Sequence, residues 1–396
     1  KSDWKPQLLA LNPGVPCALT GGDPLRPGME VAGRCVGGKS DDDTYPVFQM
    51  RGTNVVEAYF NQRMDRSSLV LNETVHVERH LEGEGWEAVP GSVRVTERRF
   101  TFVPDQPWEA GELYRLTLHS ANIKGANGES LNTTPLAGED GAVEVVMPFY
   151  GAPDDGYVYQ PLSPWPYTDL NGNSKLEAGE RNYAHASTLI AVEGKTGLIT
   201  AVKIDDDETE GDQSGYMYMN YNLLNEIGPI QEVDGERFIP VRVLPQFQHA
   251  TSLKMTVTVA GILPSTSHTY QTLIRPRRVG DGRIYFNEEA GQTWFEVLLP
   301  LYVDAPYLDL DFAGDIVANA RELIQSQEIE LHLQGPLTNL PDGRIKLDLR
   351  NSNRAPMTID LGFPVGKIHL QIPPQGVRIN LVGPPLKGLN QILGAR

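Results

Sequence analysis

The stretch Ile329-Glu330-Leu331-His332-Leu333 decides the fold of this chain, because aliphatic and polar residues alternate through it without a break. Successive side chains of a β-strand point to opposite faces, so this spacing predicts a strand with one apolar and one polar face. Four later stretches repeat the pattern, at residues 345–349, 359–361, 368–372 and 377–381. Gly, Pro and Asn residues separate them, as in turns. We therefore predict an antiparallel sheet that covers a core.

The rest of the chain is also predicted to be mainly β, as a multi-domain series of antiparallel β-sandwiches. Strand patterns recur in residues 186–311, and 39 Gly and 30 Pro residues are typical of a protein with many turns. One short helix is predicted near residues 315–326, where Asp315 can cap an apolar stripe. A length of 396 residues predicts two to four domains.

Three motifs in the first half of the chain follow one another in a specific order. They are VVEAYFNQRMDRSS at residues 55–68, RFTFVP at 99–104 and PWEAGELYRLTL at 107–118. Together they resemble the bacterial Ig-like domains of the surface-layer-protein type. The resemblance implies a β-sandwich over residues 46–150. It also implies a role as a spacer, stalk or adhesive module in surface and secreted proteins.

These observations divide the chain into five predicted regions. The expected order is an irregular, disulfide-bearing lead-in at 1–45, the Ig-like sandwich at 46–150, a linker with a calcium loop at 151–185, a second β domain at 186–311, and a helix with an amphipathic antiparallel β domain at 312–396.

The predicted calcium loop is DLNGNSKLEAGE, at residues 169–180. Calcium loops of twelve residues supply oxygens from fixed positions, which here are Asp169, Asn171, Asn173, the Lys175 carbonyl, Glu177 and Glu180. The loop resembles the isolated, dockerin-like calcium loops of extracellular bacterial proteins, although Ser174 stands where such loops have Gly. Prolines before it exclude a long entering helix, so we expect a brace between domains rather than a sensor. The alternative is a polar Asn-Gly turn.

Two other acidic runs each have two interpretations. Residues 41–43 and 205–212 are either solvated charge or further calcium sites.

The only cysteines are Cys17 and Cys35. The segment around them is rich in Gly and Pro and has little core of its own, and no His or further Cys completes a zinc site. We therefore predict a disulfide. The alternative is a pair of free thiols.

Aromatic residues cluster before the predicted calcium loop, among them Tyr159, Trp165 and Tyr167. Flat sugar rings pack on aromatic faces, so these residues are candidates for stacking against a carbohydrate. The alternative is that they pack an irregular segment against its neighbours.

Charge and hydropathy restrict the partners. A formal net charge of −17 argues against nucleic acid and anionic lipid surfaces, which need basic patches. No stretch approaches the roughly 20 apolar residues of a membrane helix, so no transmembrane segment is expected. The chain begins at Lys1, which suggests a mature or trimmed product. We expect it outside the cell or on its surface, or in the periplasm or at the outer membrane through a removed signal.

Catalytic motifs such as a G-x-S-x-G nucleophile elbow or an H-E-x-x-H zincin helix do not occur in the sequence. The sequence therefore predicts a non-catalytic bacterial surface protein, structural or adhesive, braced by calcium. Its partners would be other surface proteins, glycans or further copies of itself. One alternative is a carbohydrate-binding or carbohydrate-active accessory protein. The other is a lipid-handling envelope protein that uses the C-terminal amphipathic sheet.

Overall fold

The computed structural model describes residues 4–52, 54–138, 141–165, 182–188, 199–206, 215–220, 222–259, 263–310, 320–362 and 366–386. These residues form β-strands and turns almost throughout, as predicted. Within them, helical structure is limited to short 3-10 turns at Arg66–Ser68, Pro135–Ala137 and Ala320–Ile324. The last turn falls inside the helix predicted near 315–326, and residues 311–319 lie outside the described part of the chain.

The chain divides into two compact units. The first unit consists of residues 1–159, 224–229 and 244–247, and the second consists of residues 160–223, 230–243 and 248–396.

Twelve strands precede residue 153. They are β1 (Leu8–Asn12), β2 (Leu19–Thr20), β3 (Val31–Cys35), β4 (Tyr45–Pro46), β5 (Phe48–Arg51), β6 (Val56–Phe60), β7 (Val75–Leu81), β8 (Gly85–Ala88), β9 (Gly91–Val95), β10 (Arg99–Pro104), β11 (Leu113–Leu118) and β12 (Val145–Ala152). They form one sheet in the order β1-β6-β10-β9, a second in the order β5-β12-β11-β7-β8, and a small third, β2-β3-β4.

The core of the first unit comes from the alternating positions of these strands. Phe100 and Phe102 on β10 are fully buried, as are Leu116 on β11 and Phe149 on β12. Trp108, in the loop between β10 and β11, packs edge-on against Phe149 with ring centroids 5.1 Å apart. Two sheets with apolar facing sides are the sandwich expected of an Ig-like domain.

The predicted disulfide between Cys17 and Cys35 is present. The two Cα atoms are 5.6 Å apart, and Cys35 is the last residue of β3. The bond links the irregular chain before β2 to the small third sheet.

The remaining strands follow from residue 158. They are β13 (Val158–Pro164), β14 (Tyr183–His185), β15 (Ser187–Thr188), β16 (Ile199–Asp206), β17 (Tyr216–Asn220), β18 (Leu223–Ile227), β19 (Gln231–Val233), β20 (Glu236–Val243), β21 (Gln248–Ala250), β22 (Leu253–Val259), β23 (Leu263–His268), β24 (Thr272–Pro276), β25 (Gly280–Asn287), β26 (Gln292–Asp304), β27 (Asp309–Leu310), β28 (Gln327–Asn339), β29 (Ile345–Asn351), β30 (Ala355–Asp360), β31 (Lys367–Ile372) and β32 (Val377–Gly383).

Eight strands of the second unit close into a ring, in the order β26-β24-β21-β17-β14-β32-β29-β28 and back to β26. The closing pair is long: β26 and β28 each have 13 residues, and their register runs from Trp294 opposite Pro336 to Val303 opposite Gln327. The inside of the ring is aliphatic. Its buried residues include Leu299, Leu301, Leu331, Leu333, Leu347, Leu349, Ile379 and Leu381.

Two further sheets belong to this unit. One has the order β15-β31-β30, and the other has the order β16-β22-β23-β27. Strand β25 pairs with β26 outside the ring.

All five strands predicted after residue 328 are present, but they belong to two sheets. Strands β28, β29 and β32 join the ring, while β30 and β31 leave it as a hairpin. Asn351, which is fully buried, joins the chain entering the β30–β31 hairpin to the chain leaving it. Its Nδ2 donates to the carbonyl oxygens of Asn353 (2.7 Å) and Pro373 (2.8 Å), and its Oδ1 accepts from the amide of Val377 (2.7 Å). The ring also pairs strands from the two regions that were predicted to divide at residue 311: β26 precedes this residue and β28 follows it.

Candidate functional site

An apolar cavity of about 50 Å³ lies in the second unit where three sheets meet. The ring contributes strands β17, β24, β26 and β28, and the two smaller sheets contribute β16, β22, β30 and β31. The lining residues are Ala186, Ile204, Met217, Leu253, Met255, Thr269, Thr272, Ile274, Val303, Ala305, Ile324, Ile329, Ala355, Met357, Ile359, Leu370, Gln371 and Ile372.

Alternation along the strands brings these side chains together. On β31, Ile368, Leu370 and Ile372 are buried, while His369 between them is half-buried. Strand β22 repeats the arrangement with Leu253 and Met255. Each strand thus turns one aliphatic face toward the meeting point of the sheets.

The chemistry of the cavity is that of a hydrocarbon. None of the described lining residues is aromatic or charged, and three of them are methionines, whose flexible thioethers adapt to irregular shapes. The hydroxyl of Thr269 is already bonded, since it accepts from the Leu253 amide (2.8 Å) and lies 3.3 Å from the Thr272 hydroxyl. A water molecule needs about 10–15 Å³ and two to four polar partners. Gln371 also lines the cavity, and its buried Oε1 has no hydrogen-bond partner among the described residues. The cavity has the room for water but few polar partners, so it favours an aliphatic guest.

One wall of the cavity differs from the others. Ile324 is the lining residue that comes from a helical turn, the 3-10 turn Ala320–Ile324, and its side chain is 4% exposed. Its carbonyl oxygen accepts from the amide of Ala305, another lining residue, at 2.7 Å.

A buried polar network is connected to that wall through Ser326. The carboxylate of Asp304 accepts from Arg275 Nε (2.7 Å) and from the amide of Ser326 (2.7 Å). Arg275 also donates to the Ser326 hydroxyl (2.6 Å), and its guanidinium lies over the Tyr302 ring, 4.4 Å from the centroid. Arg275 and Asp304 are each at most 2% exposed, so this ion pair is shielded from solvent.

The predicted calcium ligands, Asp169, Asn171, Asn173, Lys175, Glu177 and Glu180, lie outside the described residues, and the site stays a prediction. The chain on either side of them is described. The Trp165 amide donates to the Asn380 carbonyl oxygen (2.9 Å), and Asn182 Nδ2 donates to the same atom (3.2 Å). In the described part of the chain, no group of three or more His, Cys, Asp or Glu residues is arranged to hold a metal ion.

The predicted stacking residues have separate surroundings. The ring of Tyr159 packs against an apolar cluster of the first unit that includes Leu9 and Leu224. The ring of Trp165 has the Lys346 ammonium 4.7 Å from its centroid. Tyr167 lies outside the described residues, so a three-ring platform stays a prediction.

The first unit contains a buried carboxylate cluster that no pattern in the sequence predicted. Glu57 on β6 accepts from the hydroxyls of Tyr59 and Tyr159, each at 2.9 Å, and Arg99 Nη1 lies 3.8 Å from the carboxylate. Burial, with the added effect of the Glu57 charge, raises the pKa of both tyrosines above the ordinary value. This cluster connects β6 to the start of β13.

Sequence reasoning predicted several strands that line the cavity but not the cavity itself. The available signal was three alanines, Ala186, Ala305 and Ala355, beside or within aliphatic strand faces. Small residues there leave space that larger ones would fill.

Comparison with known proteins gives a family for part of the chain. Residues 44–138 match the family model described as a bacterial Ig-like domain. Over 453 aligned positions the chain is 24% identical to alkane uptake protein B of Marinobacter nauticus, covering 96% of this chain and 42% of that protein. The chain thus spans about two fifths of that relative's length.

A crystal structure of an S-layer protein aligns with 85% of this chain and 52% of its own chain, at 8% identity and a TM-score of 0.19. A TM-score this low does not indicate a shared fold. Among the described residues, no helix is long and apolar enough to cross a membrane. Residues 44–138 are thus a bacterial Ig-like domain, as the sequence motifs predicted.

Proposed function

We propose that this chain is a non-catalytic protein of the bacterial cell surface or envelope, and that its second unit binds aliphatic molecules of the alkane class. The first unit serves as a spacer or adhesive module, in keeping with its Ig-like domain. This is the lipid-handling alternative from the sequence, combined with the structural role predicted for the Ig-like region.

The cavity is the observation that supports this function most directly. Most of its lining is aliphatic or sulfur-containing, Thr269, Thr272 and Gln371 are its polar members, and none of those described is aromatic or charged. A saturated chain loses its contact with water there and finds dispersion contacts on all sides. A volume of about 50 Å³ suits a segment of such a chain rather than a whole lipid.

The relative supports the ligand class independently of the cavity. Alkane uptake protein B aligns with 96% of this chain. An alkane is the simplest molecule whose chemistry matches this lining.

Ala355→Leu tests the proposal by filling the cavity. Ala355 is buried on β30 and lines the cavity, and leucine adds three carbon atoms to that space. Each buried methylene stabilises a fold by about 0.8 kcal/mol, so the variant should fold while its affinity falls at least about tenfold. The measurement is displacement of the fluorescent polyene cis-parinaric acid by n-decane, with native mass spectrometry of co-purified aliphatic compounds.

Thr358→Leu is the matched control. Thr358 lies on the same strand, is exposed, and is not part of the cavity lining. The same residue added there should leave n-decane binding unchanged. Failure of the unmodified protein to bind the polyene or n-decane would overturn the proposed function. If Ala355→Leu binds n-decane as tightly as the unmodified protein does, the ligand binds somewhere other than this cavity.

Calcium bound at residues 169–180 remains part of the proposal as a structural brace. The hydrogen bonds from Trp165 and Asn182 to one carbonyl oxygen of Asn380 support it, because they bring the two ends of that segment together. A cation there would act on a segment whose ends are already fixed, which lowers the entropy lost on binding.

A further inference from the structure

We propose that Arg275, Asp304 and Ser326 are positioning residues that hold Ile324 as a movable wall of the cavity. Aliphatic ligand enters and leaves when that wall swings outward. The ligand part of this inference rests on the proposed function. The movement of the wall is a property of the chain itself and can be measured without ligand.

The wall is the element that is easiest to displace. Most of the lining residues lie on paired strands, whereas Ile324 ends a five-residue 3-10 turn. Hydrogen bonds in a 3-10 turn are poorly aligned, and such turns are frequent at hinges. Glu322 is exposed only two residues before the buried Ile324, so the turn extends from the surface to the cavity lining. Opening this turn breaks no strand pairing.

Three hydrogen bonds among the described residues help to hold the turn in place. The backbone bond from the Ala305 amide to the Ile324 carbonyl (2.7 Å) seats the wall itself. Gln327 Nε2 donates to the Leu323 carbonyl oxygen (3.1 Å). The bond from the Ser326 amide to Asp304 (2.7 Å) fixes the residue at which the turn joins β28. These contacts are local, and together they keep Ile324 against the cavity.

Arg275 and Asp304 act on the wall through Ser326 and not through contact with the ligand. Neither residue lines the cavity, although the neighbouring Ile274 and Val303 do. Consecutive residues of a strand face opposite sides, so the ion pair lies on the face of β24 and β26 opposite the cavity, and Ser326 connects it to the wall. It directs both the amide and the hydroxyl of Ser326.

Ser326 is suited to be the hinge because its backbone is already unusual. Its φ is +50°, a left-handed conformation that residues with a side chain adopt uncommonly. Such a conformation persists when the surroundings hold it in place. If the bonds to Asp304 and Arg275 are lost, Ser326 can return to the ordinary region and carry Ile324 outward.

The experiment compares Ser326→Ala with the matched control Ser352→Ala. Ser352 is partly buried, lies in the same unit and does not line the cavity. Ser326→Ala should release cis-parinaric acid roughly 5–10-fold faster in stopped-flow displacement, the factor that one lost buried hydrogen bond supplies. Ser352→Ala should release it at the unmodified rate. Asp304→Asn should accelerate release further. If Asp304→Asn does not fold, Ser326→Ala alone still tests the inference.

Hydrogen exchange gives the readout that needs no ligand. In the unmodified protein, the amides of Ala305 and Ser326 should exchange faster than those of Leu331 and Leu333 within the ring. In the Ser326→Ala variant, the amides at positions 305 and 326 should exchange faster than they do in the unmodified protein. Exchange of Ala305 and Ser326 as slow as that of the ring amides would overturn the inference. So would an unchanged release rate in Ser326→Ala. Absence of polyene binding, with rapid exchange at Ala305, would instead overturn the proposed function and leave the movable wall supported.

Discussion

At the scale of residues, Glu57 shows how a charge is held inside the first unit. Its carboxylate is 5% exposed and accepts from two tyrosine hydroxyls, with Arg99 as the nearby cation. A buried charge without such partners would be strongly destabilising. Because Tyr59 lies on the same strand and Tyr159 is 102 residues away, one carboxylate connects a local and a distant part of the chain.

Tyr159→Phe tests the strength of this connection. The substitution removes the distant donor and keeps the ring that packs against the apolar cluster. The free energy of unfolding should fall by about 1.5–3 kcal/mol, as for a lost hydrogen bond to a charged group. Thr101→Val is the comparison, since its hydroxyl lies farther from Glu57, at 3.4 Å, and should cost less. Urea denaturation measures both, and equal losses would contradict this account.

The raised pKa values of Tyr59 and Tyr159 also predict the response to alkaline pH. In the unfolded chain both phenols titrate near pH 10, whereas the folded state keeps their protons to higher pH. The stabilisation is therefore complete below about pH 10 and is lost as the pH rises above it. Thermal melting should show a midpoint that falls above this pH, with a shallower fall in Tyr159→Phe. Parallel profiles for the two proteins would contradict the assignment.

At the scale of elements, strand alternation predicted which faces are apolar but not which strands pair. The five C-terminal strands look equivalent in sequence, yet β30 and β31 leave the ring. The difference depends on Asn351, whose side chain bonds to backbone atoms up to 26 residues away. An asparagine at the end of a strand predicts a turn, and nothing in its sequence neighbourhood identifies those distant partners.

The cavity escaped prediction for a related physical reason. Its lining combines residues from eight strands, three connecting residues and a 3-10 turn, and the space depends on the volumes that meet there. Alternation locates Ile329, Ile359 and Leu370 on apolar faces, but it does not reveal that Ala355 faces them. Packing density is a property of the folded unit and not of any one strand.

The loop at residues 169–180 leads to a prediction about calcium removal. Bound calcium should raise the melting temperature, because a ligand that binds only the folded state adds about 2.7 kcal/mol at a concentration 100 times its dissociation constant. EDTA should reverse the increase. Glu180→Gln, at the bidentate position, should remove most of the response, whereas Glu289→Gln, at an exposed position outside the acidic runs, should keep it. Melting curves that do not differ between calcium and EDTA would refute the brace.

At the scale of the whole molecule, the first unit is assembled from segments that are far apart in sequence. The Leu11 amide donates to Gln246 Oε1 (2.8 Å), and Gln246 Nε2 donates back to the Leu11 carbonyl oxygen (3.1 Å). Arg51 pairs with Glu226 at 2.7 Å, with both side chains buried. Shifts in composition can indicate linkers along a chain. They do not indicate that a later segment, such as residues 224–229 or 244–247, packs into an earlier unit, so the sequence did not predict these two segments.

The same organisation predicts that residues 44–138 do not fold alone, although they match the Ig-like family. That range lacks β1, which pairs with β6, and β12, which pairs with both β5 and β11. Phe149, a fully buried core residue, is lost with β12. Circular dichroism should show a gradual thermal change for this fragment, against a cooperative transition for the full chain. A sigmoidal melt of the fragment at the full-chain midpoint would contradict the prediction.

The closing pair β26–β28 has a consequence for self-association. A sheet that ends in open strands exposes unpaired amides and carbonyls, onto which a strand of another molecule can be added. Each of the eight ring strands instead has a partner on both sides. At the cell surface proposed for this protein, it would meet its own copies at high local concentration. The ring offers them no template for strand addition, so its aliphatic interior can be retained without the risk of fibrous aggregation through these strands.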